Sequence, residues 1–447
     1  MDWNFATLWE SLADALSDRV AIARGAQRRT WTEFDDRASR LAQALTAAGI
    51  EPGAKIASYL YNGNEYLEGL YATFKMRGVA VNVDYRYLED ELVYLLDNSD
   101  AEALFFHSSL GDRVAKIRDR TPLVKLWIAV DDGGEHPDFA ERYEDLISTN
   151  DPMPRITRSG EDMYFHYTGG TTGMPKGVMW RFDDLWGVLA DATYALLGHT
   201  APARPEDVGP LARQIVETRD TAHLPASPLM HGTGAFTSFQ SMWGGGRIIT
   251  LEGRHFDADE LWRVVERERV TQMAIVGDAF AKPMLKALEA AKERGEPYDI
   301  SSLQLVISSG VMWSSEVKRG LMAFGGFMCF DSLGSSEGVG FASSISAPGA
   351  EHSTAKFAIG PQARVLKDGG DEVVPGSGEV GMLAVGGNIP VGYYKDEAKT
   401  AATFPTINGT RWSVPGDFAS VEADGTIVLL GRGSAVINSG GEKVFPE

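Results

Sequence analysis

Residues 55–106, KIASYLYNGNEYLEGLYATFKMRGVAVNVDYRYLEDELVYLLDNSDAEALFF, decide the fold class. Short apolar runs, KIASYLY (55–61), VAVNV (79–83) and AEALFF (101–106), alternate with amphipathic ones, EYLEGLYATFKMRG (65–78) and LEDELVYLLDNSD (88–100). That rhythm of strand and helix predicts a mostly parallel α/β sheet. Upstream, residues 7–48 read as helix, turn, helix, with Thr32 the expected N-cap of the second helix and Gly49 its C-cap. Downstream the rhythm returns in DELWRVVERERV (259–270), QMAIV (272–276), PMLKALEAAKERG (283–295) and LQLVISS (303–309). From about Phe357 the texture changes to short strands and Gly-rich turns, with Asp424-Gly425 a hairpin signal. The expected architecture is α/β: two α/β lobes with mostly parallel sheets, about 1–190 and 191–340, and a small β-rich lobe, 341–431. Residues 198–220, polar and rich in Pro and Arg, are expected to form a solvated surface loop, with a lid as the alternative.

Composition bounds the function. The 447 residues are enough for a sizeable core, and 44% hydrophobic with 23% charged residues is the ordinary globular mix. The formal charge of −20 disfavours nucleic acid and anionic membrane as partners, without excluding small anions held by backbone amides. No apolar run approaches the length of a membrane span, and the first residues lack the pattern of a signal peptide. A single cysteine, Cys329, cannot make an internal disulfide. Together these features predict a cytoplasmic protein.

The strongest local signal is MYFHYTGGTTGMPKGVMW, residues 163–180. A β-type run leads into Thr168, Gly169, Gly170, Thr171, Thr172 and Gly173, then Lys176-Gly177 and a second apolar run. Glycines let amides turn around an anion, threonines donate further bonds, and a lysine adds charge. These are the parts of a phosphate cradle; a Gly/Thr-rich hairpin without a ligand is the plain alternative. A Walker A loop is excluded by spacing, because Lys176 stands between Pro175 and Gly177 and a strand-like run follows it. Other strands also run out into small polar residues: HLPASPLMHGTG (223–234), LQLVISSGVMW (303–313) and GFMCFDSLGSSEG (326–338). Open α/β sheets bind ligands at such carboxyl ends.

YTGGTTGMPKG (167–177), GSSE (334–337), GYYKDEAKT (392–400), PGD (415–417) and GR…NSGGEKVFPE (431–447) follow one another as in the adenylate-forming enzymes, which include acyl-CoA synthetases, peptide-synthetase adenylation domains and luciferases. The chain resembles that family along essentially its whole length. The resemblance implies an ATP-dependent ligase that converts a carboxylic acid to an acyl-adenylate and passes it to coenzyme A. It implies that Thr168, Gly169, Gly170, Thr171, Thr172, Gly173 and Lys176 hold the β- and γ-phosphates. Glu337 would bind Mg²⁺, and Ser336 would touch the α-phosphate. Gly310, Val311, Asp331, Ser332 and Leu333 would surround adenine, while Asp417 and Arg432 would meet the ribose. His231 would stand at the mouth of an acyl pocket, with Gly277, Ser309, Gly310 and Gly334 beside the acid. Lys176, His231 and Glu337 are the residues expected to bear on catalysis. Cys329, in an apolar strand, is expected in the core.

The resemblance also implies that residues 1–431 form a large N-terminal domain and 432–447 a hinge leading to a lid domain that this sequence lacks. Without that lid's lysine, the chain is expected to bind its ligands and catalyse poorly. Two positions depart from the family pattern: Ser434 replaces the usual hinge Asp or Lys, and Leu333 the frequent Tyr. Three functions stand open: an acyl-CoA ligase, an adenylating domain serving a carrier protein, and a silent nucleotide- or acyl-binding module. Residues 223–236 contain no acid to anchor an α-amine, which weighs against amino acids. DSLGSSE (331–337), GNIPVGYYKDEAKTAATFPTING (387–409) and the chain's end resemble ligases for sterol side chains, with fatty acids the alternative substrate. For assembly, a homodimer is carried as an open expectation.

Overall fold

The computed structural model describes residues 2–170, 173–349, 356–432, 437–439 and 442–444. Its contacts divide the chain into two compact units, Met1–Glu260 and Leu261–Glu447.

In the first unit the strands are β1 (Val20–Arg24), β2 (Gln27–Thr30), β3 (Lys55–Tyr59), β4 (Val79–Asn82), β5 (Ala101–His107), β6 (Leu126–Val130), β7 (Glu141–Arg142), β8 (Met163–Gly170), β9 (Gly173–Arg181), β10 (Ala222–Pro225) and β11 (Arg247–Thr250). One sheet runs β9-β8-β4-β3-β5-β6-β7, parallel from β8 to β7, with only β9 antiparallel. The alternation over 55–106 thus yields the expected parallel sheet. A second sheet joins β10 and β11 to β1 in parallel, with β2 antiparallel at its edge.

Two local expectations are corrected. Residues 7–48 contain a β-hairpin between their helices rather than a plain turn. The second helix is capped by Thr30, not Thr32: the Thr30 hydroxyl accepts from Glu33 N at 3.2 Å and Glu33 returns a bond to Thr30 N at 2.7 Å. This capping box satisfies two amides at the helix start. The helix ends at Ala47, and Gly49 follows in the left-handed region, close to where the sequence places the stop.

Residues 198–220 are the larger correction. They include a helix, Val208–Thr218, that buries Val208, Ala212 and Ile215. The apolar spacing of four and three residues is helical, and Pro210 falls in the first turn, where a missing N–H costs nothing. Arg213 of this helix donates to Ala15 O at the end of the helix Phe5–Leu16.

The core of the first unit is aromatic. Phe5 meets Phe182, Trp243 and Phe239 with ring centroids 4.6, 5.1 and 5.3 Å away, and Trp9 meets Tyr71 at 5.1 Å. A buried ion cluster crosses this core: Glu10 accepts from Lys75 at 2.8 Å and from Arg158 at 2.8 and 2.9 Å. Such pairs fix geometry more than they stabilise, because desolvation cancels much of their attraction.

In the second unit the strands are β12 (Gln272–Ile275), β13 (Leu305–Ser309), β14 (Met328–Ser335), β15 (Gly338–Ser346), β16 (Lys356–Ile359), β17 (Ala363–Leu366), β18 (Val380–Val385), β19 (Gly392–Tyr393), β20 (Thr406–Ile407), β21 (Thr410–Arg411), β22 (Asp417–Val421), β23 (Thr426–Arg432), β24 (Ile437–Ser439) and β25 (Glu442–Val444). β12, β13 and β14 are parallel; the sheet then continues antiparallel through β15, β16, β23, β22, β18 and β17. Asp424-Gly425 does turn the β22–β23 hairpin, with Gly425 at φ +82°.

The contact division at 260 differs from lobe boundaries near 190 and 340. β10 and β11 are zipped to β1, which draws 191–260 into the first unit. The hairpin β14–β15 carries the parallel strands directly into the antiparallel ones across residue 340. No helix among the described residues is long and apolar enough to cross a membrane.

Candidate functional site

In the first unit the Gly-rich segment is a hairpin. β8 and β9 pair Tyr167 with Gly177, Thr168 with Lys176 and Gly170 with Gly173, so Lys176 lies directly across from Thr168. Strand continues after Lys176, as its spacing predicts. Gly177 is needed for packing: a Cβ there would lie 2.5 Å from the Tyr167 ring. Thr171 and Thr172 lie outside the described residues, and Gly170 and Gly173 are placed by backbone pairing alone.

The root of this hairpin is held by a residue that sequence reasoning missed. Asn82, at the carboxyl end of β4, is buried. Its Oδ1 accepts from Tyr167 N at 2.6 Å, and its Nδ2 donates to Tyr167 O at 2.7 Å and Met230 O at 2.6 Å. One carboxamide therefore ties the residue before Thr168 to the residue before His231. Its signal in the sequence is a lone amide inside the apolar run VAVNV, which costs free energy when buried unless fully bonded.

His231 precedes the helix Gly232–Trp243 and is half-buried. Burial lowers its pKa, with Asp84 opposing and Arg86 assisting. The buried His166 was also missed. Its Nδ1 lies 3.2 Å from Tyr164 Oη, and burial with the nearby His231 pushes its pKa down to about 3. The depressed His166 is a neutral imidazole at neutral pH, and the direction for His231 favours the neutral form too.

In the second unit parallel pairing puts several candidates at one sheet edge. Ser308 lies opposite Asp331 and Ser309 opposite Ser332. Gly310 follows at φ +96°, and Val311 is exposed. Gly277, the first residue of its helix at φ +48°, packs so closely that a Cβ would lie 2.4 Å from Met312 O; its N–H donates to the buried Ser308 Oγ at 2.9 Å. Leu333 pairs with Ala342 in the hairpin, and Gly334 has room around its Cα. Asp331 is buried, and its Oδ2 accepts from Lys318 Nζ at 3.0 Å. Burial pushes this carboxyl up and Lys318 opposes the shift. The Asp331 side chain is thus committed to an ion pair. Nothing in the sequence pointed to Lys318. Cys329 is buried as expected, its thiol pushed up to about 12.

Ser336 and Glu337 occupy the turn between β14 and β15, whose last pair is Ser335 with Gly338. Glu337 Oε1 accepts from Tyr393 Oη at 2.7 Å, Glu337 O accepts from Ser413 Oγ at 2.6 Å, and Glu337 N donates to Ser335 Oγ at 3.2 Å. Tyr393 stands in the motif GYYKDEAKT, but the motif alone does not say what its hydroxyl reaches. Asp417 and Arg432 are directly opposite in the β22–β23 pairing, so the register makes the two expected ribose contacts neighbours. The side chain of Arg432, and Ser434 entirely, lie outside the described residues.

Comparison with known proteins identifies the family and the fold. The model of the AMP-binding enzyme family matches residues 9–394. The chain is 43% identical to a 3-oxocholest-4-en-26-oate–CoA ligase of Rhodococcus rhodochrous, over all of this chain and 81% of that protein. It is 40% identical to a medium/long-chain-fatty-acid–CoA/3-oxocholest-4-en-26-oate–CoA ligase of Mycolicibacterium smegmatis, again over 100% and 81%. Among solved structures, the anthranilate CoA ligase AuaEII in complex with anthranoyl-AMP superposes with a TM-score of 0.84 at 19% identity, covering all of this chain and 81% of that one. The N-terminal domain of FACL13 from Mycobacterium tuberculosis superposes with a TM-score of 0.79 at 21% identity, covering 97% of this chain and 100% of that domain. The structural likenesses establish the fold, and the match along the whole sequence to named ligases establishes the lineage. The chain belongs to the AMP-binding enzyme family and, within it, to the acid–thiol ligases that make acyl-CoA.

Proposed function

We propose that this ligase activates a bulky hydrophobic carboxylic acid, a sterol side-chain acid foremost and a medium- or long-chain fatty acid as the second reading. The observation that carries this is the 43% identity along the entire chain to a ligase named for 3-oxocholest-4-en-26-oate. The second reading rests on the dual name of the Mycolicibacterium relative. The local chemistry suits an uncharged acyl group: the helix after His231 has no acid in its first turn.

In the proposed reaction the acid's carboxylate attacks the α-phosphorus of ATP, expelling pyrophosphate. The thiolate of coenzyme A then attacks the acyl carbonyl and AMP leaves. No nucleophile from the protein is required; its work is to orient and to neutralise phosphoryl charge. Thr168, Gly169, Gly170, Thr171, Thr172, Gly173 and Lys176 would hold the β- and γ-phosphates, and Ser336 the α-phosphate. Gly310, Val311, Ser332, Leu333 and the backbone of Asp331 would frame adenine, with Asp417 and Arg432 on the ribose. His231, as a neutral imidazole, would orient the acid rather than counter its charge, beside Gly277, Ser309, Gly310 and Gly334.

Glu337 suits Mg²⁺. It presents a carboxylate oxygen from a turn, and no group of three His, Cys, Asp or Glu side chains stands together among the described residues. A single carboxylate completed by phosphate oxygens and water is how Mg²⁺ is commonly held. The ion would neutralise phosphate charge as pyrophosphate departs.

The test is calorimetric binding of non-hydrolysable acyl-sulfamoyl-adenosines to this chain, carrying a sterol side-chain acyl group, a palmitoyl group or an aminoacyl group. Tightest binding of the sterol mimic is expected. Preference for the palmitoyl mimic would favour the second reading, and preference for the aminoacyl one would overturn both.

A further inference from the structure

Ser336-Glu337 is a two-residue turn at the end of a hairpin, ordinarily a mobile place to put a metal ligand. Here it is gripped from outside the hairpin at two points. Ser413, itself buried and bonded through both backbone groups to Val385 at 2.8 and 3.0 Å, takes the Glu337 carbonyl. Tyr393, 5% exposed, takes one oxygen of the Glu337 carboxylate. Tyr393 is in turn seated by the helix Glu397–Thr403: its N–H donates to Thr400 Oγ1 at 2.9 Å, and its ring lies 5.8 Å from that of Phe404. Gly392 lies against the same threonine, with its would-be Cβ 2.5 Å from Thr400 Cγ2.

From this geometry we infer that Tyr393 is a positioning residue for the metal: its phenol O–H fixes the rotamer of Glu337 by bonding Oε1, which would leave Oε2 to meet Mg²⁺. This rests on the reading of Glu337 as the metal ligand. A neutral donor on a ligating carboxylate orients it without cancelling its charge, and outer partners of this kind are worth about 10–100-fold in metal affinity. Thr400 acts one step further out, by holding the Tyr393 backbone.

The experiment follows the affinity of the chain for α,β-methylene-ATP as Mg²⁺ is titrated, with Mn²⁺ paramagnetic resonance as an independent count of bound metal. In Tyr393→Phe the half-saturating Mg²⁺ should rise by about 10-fold, with nucleotide affinity restored at saturating metal and the melting temperature little changed. Thr400→Val should shift the midpoint in the same direction by less, and serves if Tyr393→Phe folds poorly. Glu337→Gln should abolish the metal dependence, and adding Tyr393→Phe to it should change nothing further. If Glu337→Gln removes the metal dependence while both other variants leave the midpoint unmoved, Tyr393 is only structural and the inference fails. Should Glu337→Gln itself leave the dependence intact, the assignment of Glu337 fails, and the inference with it.

Discussion

The β8–β9 and β14–β15 hairpins solve one problem in opposite ways. Each extends a parallel sheet by an antiparallel pair, the last described pairing being Gly170 with Gly173 in one and Ser335 with Gly338 in the other. The first is fixed at its root, where Asn82 binds the backbone of Tyr167 on both sides and Gly177 admits the Tyr167 ring. The second is fixed at its tip, where two hydroxyls from far along the chain hold Glu337. The difference follows from what each offers. Backbone amides are placed once the strands are placed; a carboxylate must have its own rotamer fixed as well.

Substitutions can break this contrast. The largest effect is expected at the root. Asn82→Leu would orphan one buried N–H and two carbonyls, costing about 4 kcal/mol of stability at 1–3 kcal/mol per group, softened by relaxation. Urea unfolding would show it, and affinities for ATP and for the acid should weaken together in the fraction that folds. A loss below about 1 kcal/mol would mean the two segments are held by something else. At the tip, Glu337→Gln should leave unfolding nearly unchanged but slow acyl-adenylate formation by about 100-fold, near 2.7 kcal/mol. Pyrophosphate release at several Mg²⁺ concentrations is the measurement, and excess metal should restore little.

Lys176→Ala sharpens the comparison, because it removes charge from the first hairpin without touching its root. ATP should bind about 10-fold more weakly, with the Mg²⁺ midpoint and melting temperature unmoved; calorimetry with α,β-methylene-ATP would decide. The smallest effect asks how dry the first unit is beneath the segment leading to His231. His223 is fully buried, its imidazole 3.0 Å from Thr237 Oγ1, and burial pushes its pKa from 6.5 to about 3. Between those values the unfolded chain holds the proton and the folded chain does not. The stabilisation is therefore present above pH 6.5 and lost as pH falls toward 3. From pH 6.5 to 5.5 this residue should cost about 1 kcal/mol, and His223→Gln should flatten the urea midpoint against pH by that amount.

One misreading was local, the Thr30-x-x-Glu33 capping-box spacing; the others turn on longer-range partners. Thr32 and Thr30 are equally good caps by type; the helix start is set where Glu33 can reach back to Thr30 N. Residues 198–220 look solvated by composition, yet three apolar residues at helical spacing suffice once the helix Phe5–Leu16 offers a surface. Asp331 is expected beside adenine from its motif, and no local pattern announces that Lys318 holds its carboxylate. Tyr393 was visible in a motif and Asn82 in an apolar strand, but no local pattern names Glu337, Tyr167 or Met230 as their partners.

The α/β class, the strand-like runs on both sides of the Gly-rich segment, the burial of Cys329 and the family are legible in the residues alone, because periodicity, glycine spacing and ordered motifs are local quantities. Tertiary structure alone decided where the units divide, which carboxylates are spent on ion pairs, and which hydroxyls and amides hold the two hairpins. These contacts join residues 56, 76, 85 and 148 positions apart. Hydrogen bonds are short-ranged, so such partners exist only once the sheets have brought distant segments within about 3 Å of each other.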